Sequence, residues 1–255
     1  MANENGKESD ATMAIGQVIK AFVPFSKPVK QEEETYECPA CFDTGFVDRR
    51  DQYGRTISEP CRICDKNRKD RIRRLLEKAR LPYHQMDVKP NAETLDFLRD
   101  FDANKPIWML FTGKAGGGKT TEAAWLAYEL ITKKFVSVRF YSGYDLVIDL
   151  NATRKRPDEH EKILDDIHEA DLVVIDDLFK SLPAPNSYRY ADYMEACYEA
   201  IWARYNVRKP LVITTQFPFE ALVKVDAALA GRIAELSKGR IVGYGREAKN
   251  WRLVQ

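Results

Sequence analysis

The chain has 255 residues, 44% of them hydrophobic, and a formal net charge of +1. That length holds one ordinary domain plus a small module, the apolar content argues against wholesale disorder, and near-neutrality confines any nucleic-acid contact to local patches. No apolar run reaches the roughly 18–20 residues of a membrane span, and the polar stretch Met1–Thr12 holds no signal-peptide core, so the expectation is a cytoplasmic protein with no membrane partner.

Residues 1–36 read as a flexible arm. Val18, Ile19, Ala21, Phe22, Val23 and Phe25 form one short apolar cluster, followed by Pro28 and the acidic run Glu32–Glu34. Such a segment serves either as a partner-docking peptide or as a strip that packs on its own protein.

Residues 37–65 form the next block. Of the five cysteines, Cys38, Cys41, Cys61 and Cys64 stand as two Cys-x₂-Cys pairs separated by nineteen residues. Each pair can present two thiolates to one ion, and two pairs complete a tetrahedron, so the spacing points to zinc. Disulfides and an iron–sulfur cluster are the alternatives the same residues permit. Phe46-Val47 and Thr56-Ile57, on either side of Asp51-Gln52-Tyr53-Gly54, suggest a β-hairpin carrying the second pair. A module of about thirty residues lacks the core to fold unaided, and four filled positions leave no room for a catalytic water; the expected role is structural.

Residues 66–82 carry eight basic residues against two acidic ones, Asp70 and Glu77. Ile72, Leu75, Leu76 and Ala79 recur at helical spacing, predicting an amphipathic basic linker helix that Pro82 ends.

From residue 83 onward the pattern is that of a single α/β domain. Strand candidates at 107–112, 136–141, 172–175, 211–215 and 240–243 alternate with helical stretches at 119–134, 144–153, 159–170 and 190–208. Short apolar strands alternating with helices imply a five-stranded parallel sheet covered on both faces. Tyr190, Met194, Cys197, Ile201 and Tyr205 share one helical face, which makes the fifth cysteine a core residue.

Gly113-Lys114-Ala115-Gly116-Gly117-Gly118-Lys119-Thr120, followed by Thr121, fits the phosphate-loop pattern G-x-x-x-x-G-K-[ST]. It follows an apolar strand and opens a helix, where glycines let backbone N–H groups turn toward phosphate oxygens and the helix terminus adds its positive end. Lys119 is expected to reach the β- and γ-phosphates of ATP, and the Thr120 hydroxyl to hold Mg²⁺. Leu172-Val-Val-Ile-Asp176-Asp177 supplies a strand ending in two carboxylates: Asp176 for the Mg²⁺, Asp177 to orient or deprotonate the attacking water. Thr215 and Gln216 end another buried strand; they either sense the γ-phosphate or cap the strand.

Taken together, these motifs resemble the bacterial and phage replicative helicase loaders of the DnaC/DnaI type, within the AAA+ ATPases. The resemblance rests on Cys38-Pro-Ala-Cys41-Phe-Asp-Thr-Gly45 and Pro60-Cys61-Arg-Ile-Cys64, on Ala79-Arg-Leu-Pro82, on the path from Tyr144 through Arg154-Lys155-Arg156 to Asp176, and on Ala230-Gly-Arg232-Ile-Ala-Glu-Leu with the closing Gly245–Arg252. It implies an AAA+ fold without a full helical lid, since only 23 residues follow Arg232. It also implies that Arg232 acts as an arginine finger on a neighbouring copy, so the working unit is a homo-oligomer formed with ATP. The implied partners are the replicative DNA helicase, gripped by the N-terminal region, and single-stranded DNA. Asp177 stands where many AAA+ members have Glu, and Gln216 where an Asn is common; both departures imply slow, switch-like hydrolysis. For DNA contact, Tyr188-Arg189-Tyr190 and Arg154-Lys155-Arg156 combine cations with aromatic faces, though either set also reads as a solvated loop. The expected function is therefore an ATP-dependent helicase loader. The alternatives are an IstB-like transposition helper and an ATP-binding adaptor with little hydrolysis.

Overall fold

The computed structural model describes Tyr36, residues 38–82 and residues 88–245. The apolar cluster of the N-terminal arm and the closing Trp251-Arg252 lie outside the described residues. The chain divides into two compact units, Met1–Cys61 and Arg62–Gln255.

The first unit is built on a two-stranded antiparallel hairpin, β1 (Phe46–Arg50) and β2 (Thr56–Pro60), registered Phe46 against Pro60 through Arg50 against Thr56. Asp51 sets the turn: its Oδ1 accepts from the Tyr53 and Arg55 amides at 2.8 and 2.9 Å, and Gly54 takes the left-handed conformation (φ +78°) that closes it. Nine of the ten strand residues are exposed. Among the described residues of this unit only Cys38, Cys41 and Cys61 are buried, so the thiols take the place of a hydrophobic core.

The second unit opens with helix α1 (Arg62–Ala79), followed by α2 (Ala92–Asp100), strand β3 (Trp108–Gly113), α3 (Lys119–Lys134), β4 (Val138–Ser142), α4 (Gly143–Thr153) and α5 (Pro157–Glu169). Strand β5 (Leu172–Leu178), α6 (Tyr190–Asn206), β6 (Leu211–Thr215), α7 (Phe219–Val225), α8 (Ala227–Ser237) and β7 (Ile241–Tyr244) complete it. The five strands β3–β7 form one parallel sheet in the order β4-β5-β6-β3-β7. Strand periodicity sorts consecutive residues to opposite faces. Trp108 and Leu110 of β3 join the core under α4–α8, whereas Met109 and Phe111 join the core under α1, α2 and α3. This is an α/β fold with a phosphate-loop sequence between β3 and α3, and among the described residues β7 follows α8 with no further helix. No helix among the described residues is long and apolar enough to cross a membrane.

Several boundaries differ from the sequence expectation. Helix α1 begins at Arg62, inside the second cysteine pair, and its Ile72, Leu75, Leu76 and Ala79 pack on the domain core, so it is more than a linker. Helices α2, α7 and α8, of 9, 7 and 11 residues, lie in stretches where the sequence pattern predicts no helix, each too short for its periodicity to stand out.

One buried group bears heavily on stability. Arg204 of α6 is completely buried and donates to five carbonyls: Ile167, His168, Ala170, Asp171 and Pro210, the shortest contacts being 2.7 Å to Ile167 and Pro210. Burial pushes its pKa down to about 10, so the guanidinium stays charged at neutral pH. It ties the end of α5 to the starts of β5 and β6. Arg204→Met keeps much of the volume but strands those carbonyls in the core. The expected loss is roughly 3 kcal/mol or more, read as a lowered urea midpoint.

Candidate functional site

The loop between β3 and α3 curls because glycine stands where the backbone demands it. Gly113 has φ +115°, and a Cβ there would meet the Tyr244 carbonyl oxygen at 2.2 Å; Gly118, at φ +100°, is the N-cap of α3. Lys119 is 4% exposed, and its Nζ donates to the carbonyls of Gly113 and Lys114 at 2.7 Å each. The ammonium thus spans the loop it serves. A cavity of about 580 Å³, in the range of small-ligand sites, is lined on this side by Ala115, Gly116, Gly117, Gly118, Lys119, Thr120 and Thr121. Amides at a helix N-terminus facing such a cavity form a ready anion site.

Thr120 and Asp176 are brought together, with Thr120 Oγ1 donating to Asp176 Oδ2 at 3.1 Å. Thr214 of β6 holds the other oxygen, its hydroxyl 2.6 Å from Oδ1. Burial raises the Asp176 carboxyl above its usual range, and the two hydroxyls partly offset this. A hard cation prefers such a carboxylate–hydroxyl pair, so the residues present fit Mg²⁺. Asp177 is reached through a β-bulge: the β5–β6 register shifts between Ile175 and Leu178, and Asp177 itself sits at φ +56°. The bulge brings Asp177 to the cavity wall with Gln216. The Asp177 carboxylate is paired with Lys180, Nζ to Oδ2 2.6 Å. Thr215 differs from its neighbour. Its side chain is buried and its hydroxyl is committed to the Leu178 carbonyl at 2.8 Å, so it stabilises the bulge and does not line the cavity.

Sequence reasoning missed a polar cluster in the wall of the cavity. Glu122 of α3, 4% exposed, accepts from the Asn91 amide (2.8 Å), Asn91 Nδ2 (2.8 Å), Thr94 Oγ1 (2.5 Å) and the Tyr244 hydroxyl. Burial, reinforced by Glu122, pushes the Tyr244 phenol up, so it remains a donor. The signal that could have found it is spacing: Glu122, Leu126 and Leu130 fall at i, i+4, i+8 on one helix face, and a carboxylate there must be bonded.

The four paired cysteines come together, their Sγ atoms all within 4.8 Å of one another. Cys38 and Cys61 Sγ stand 3.8 Å apart. Four thiolates about 2.3 Å from a zinc ion have tetrahedral edges of about 3.8 Å, so the thiols fit that metal. Left-handed Phe42 and Asp43 fold the first knuckle, and Asp43 Oδ1 accepts from the Cys38 amide at 2.8 Å.

Arg232 is not among the residues lining the cavity. It lies on α8 with its guanidinium 4.7 Å from the Trp202 ring centroid and Nη1 donating to Ala228 O at 3.0 Å. Of the cationic sets, Arg154 pairs with Glu195 and Arg156 with Glu159, leaving Lys155 exposed. Tyr188 is 82% exposed, with the Arg189 guanidinium carbon 5.3 Å from its ring centroid and Arg189 Nε donating to its hydroxyl at 2.9 Å.

The sequence model of one family, described as IstB-like ATP binding protein, matches residues 68–235. The phage-like element PBSX protein XkdC of Bacillus subtilis (strain 168) is 28% identical over 235 residues, covering 85% of each chain. Among solved structures, the DnaC helicase loader is 21% identical with a TM-score of 0.45, covering 68% of this chain and 99% of that one. DnaI is also 21% identical, with a TM-score of 0.47, covering 68% and 92%.

Proposed function

We propose, from the premise that this chain belongs to the family of IstB-like ATP-binding proteins, that it is an ATP-hydrolysing helicase loader that docks on a replicative DNA helicase and helps place it on single-stranded DNA. The observation that carries this reading is the cysteine-built module standing ahead of residue 68, where the family match begins. A zinc ion held by Cys38, Cys41, Cys61 and Cys64 would make that module a rigid platform. Its Phe42, Phe46 and Tyr53 are 60%, 56% and 74% exposed, the kind of aromatic surface that protein interfaces use.

In this reading the amides of the Gly113–Thr120 loop cradle the phosphates, and Lys119 leaves its two carbonyls for the β- and γ-oxygens. Mg²⁺ on Thr120 and Asp176 would supply charge neutralisation at the transferring phosphoryl. Asp177 aligns the attacking water and takes its proton, while the Gln216 amide donates to the γ-phosphate. The Asp177–Lys180 pair competes with that task, since a carboxylate held by an ammonium is a weaker acceptor; this favours slow, switch-like turnover. Arg232, away from its own chain's cavity, is assigned to a neighbouring copy's nucleotide, making the working state an oligomer. Tyr188 and Arg189 are the preferred contact to single-stranded DNA, by stacking and charge.

A second reading, an IstB-like transposition helper acting with duplex DNA and a transposase, is favoured by the family match itself. Mixing the full chain with the replicative helicase, with and without ATP, and sizing the products separates the two. A stoichiometric complex that loads helicase on single-stranded DNA supports the loader. No complex under any nucleotide condition sinks it, and ATP-dependent binding to duplex DNA with a transposase would install the second reading.

A further inference from the structure

The polar cluster around Glu122 has a chemical consequence for which nucleotide the cavity accepts. Asn91 lines the cavity and is the N-cap of α2, at φ −70°, ψ 161°. An asparagine there ordinarily spends its side-chain oxygen on the helix amides, but Asn91 makes no such bond. Its Nδ2 instead donates to Glu122 Oε2 at 2.8 Å, with the Tyr244 hydroxyl on the same side at 3.3 Å. The amide nitrogen is therefore the end held against Glu122.

That bond fixes which end of the amide meets Glu122 and leaves Oδ1 as the end turned away from the carboxylate. An ionised carboxylate only accepts hydrogen bonds. Turning the amide over would set Oδ1 against Glu122 Oε2, oxygen against oxygen. The Tyr244 hydroxyl cannot relieve this, because its own hydrogen goes to Glu122. The carboxylate in turn is held by the Asn91 backbone amide and by Thr94 Oγ1, at 2.8 and 2.5 Å. Asn91 Oδ1 is thus an acceptor with no protein partner among the described residues, and it is not one of the buried unpaired atoms. It belongs to a residue on the cavity wall.

We propose that Asn91 Oδ1 reads the exocyclic amine of adenine, with Glu122 and Tyr244 as positioning residues that fix the amide's orientation. An adenine N6 amine donates to this oxygen. A 6-oxo purine such as guanine or hypoxanthine places an acceptor against an acceptor and strands it. The inference rests on the cavity being the nucleotide site of the preceding reading and deepens that reading by naming the selecting atom.

The test compares ATP with inosine triphosphate, which differs at position 6 by oxygen for amine and carries the same triphosphate. Equilibrium binding to the full chain is expected to favour ATP about ten-fold or more, the loss of one properly paired polar contact. Asn91→Ala is expected to bring the two affinities within about two-fold of each other, because it removes both the contact to the amine and the clash with the 6-oxo group. Glu122→Gln cannot accept at both positions and releases the amide to turn over; it too is expected to lose discrimination. Melting curves on each variant guard against a folding defect, and the wild-type comparison needs no variant at all. Equal wild-type affinity for the two nucleotides overturns the inference, as does an Asn91→Ala protein that keeps its preference. Failure to bind either nucleotide overturns the nucleotide-site reading instead, so the two failures are distinguishable.

Discussion

Replacing Lys119 with alanine is expected to lower ATP turnover at saturating ATP by about a hundred-fold or more, the usual cost of deleting a preorganised group at the transferring charge. The geometry makes the effect specific. Lys119 is almost fully buried at the first position of α3 and bridges Gly113 O and Lys114 O, so its ammonium is already positioned at the phosphate end of the cavity. Alanine removes the charge and the two bonds to the loop carbonyls, while the Thr120–Asp176 contact and the two-sided core of the sheet are retained. Arginine is not expected to rescue activity, because its planar fork is larger than the space a point-charge ammonium occupies. Phosphate release and binding of a fluorescent ATP analogue would be measured side by side. Turnover within about three-fold of wild type would show that this loop does not carry phosphoryl transfer.

The second large effect concerns the cysteines. Cys61→Ser, or removal of zinc by a strong chelator, is expected to unfold the hairpin of β1 and β2 while leaving ATP turnover intact. A structural zinc site contributes on the order of 10–16 kcal/mol of apparent free energy, whereas an isolated two-stranded hairpin is marginal in water. Here the strands are almost wholly exposed and the buried side chains are thiols, so little else opposes unfolding. The Arg62–Gln255 unit has its own two-sided core and does not depend on the metal for packing. Metal analysis should find one zinc per chain, and limited proteolysis should cut the variant between residues 38 and 61. A chain purified without zinc, whose proteolysis pattern is indifferent to Cys61→Ser, would rule out a zinc-built module. Iron with acid-labile sulfide would instead assign the thiols to a cluster.

The parts of the molecule legible in the sequence are those whose chemistry is local. The strand–glycine loop–helix unit around Lys119 and the two Cys-x₂-Cys pairs need only a few neighbouring residues to declare themselves. Apolar runs separated by helical periods likewise imply a parallel sheet whatever its strand order, and four of the major helices of the Arg62–Gln255 unit fall close to their predicted spans. Helix α2 escaped because its nine residues bury just Thr94 and Phe97, too short a pattern to stand out.

What the tertiary structure alone decided is how distant polar groups satisfy one another. Glu122 meets Asn91 across 31 positions and Tyr244 across 122. Arg204 reaches the carbonyls ahead of β5 some 33 to 37 residues away. Thr215 and Gln216 are adjacent in sequence, yet the strand's alternation and the bulge at Leu178 bury one and leave the other on the cavity wall. Sequence periodicity says which face a residue takes but not what stands opposite it. A buried carboxylate or guanidinium acquires its role only when packing brings partners near enough to replace water.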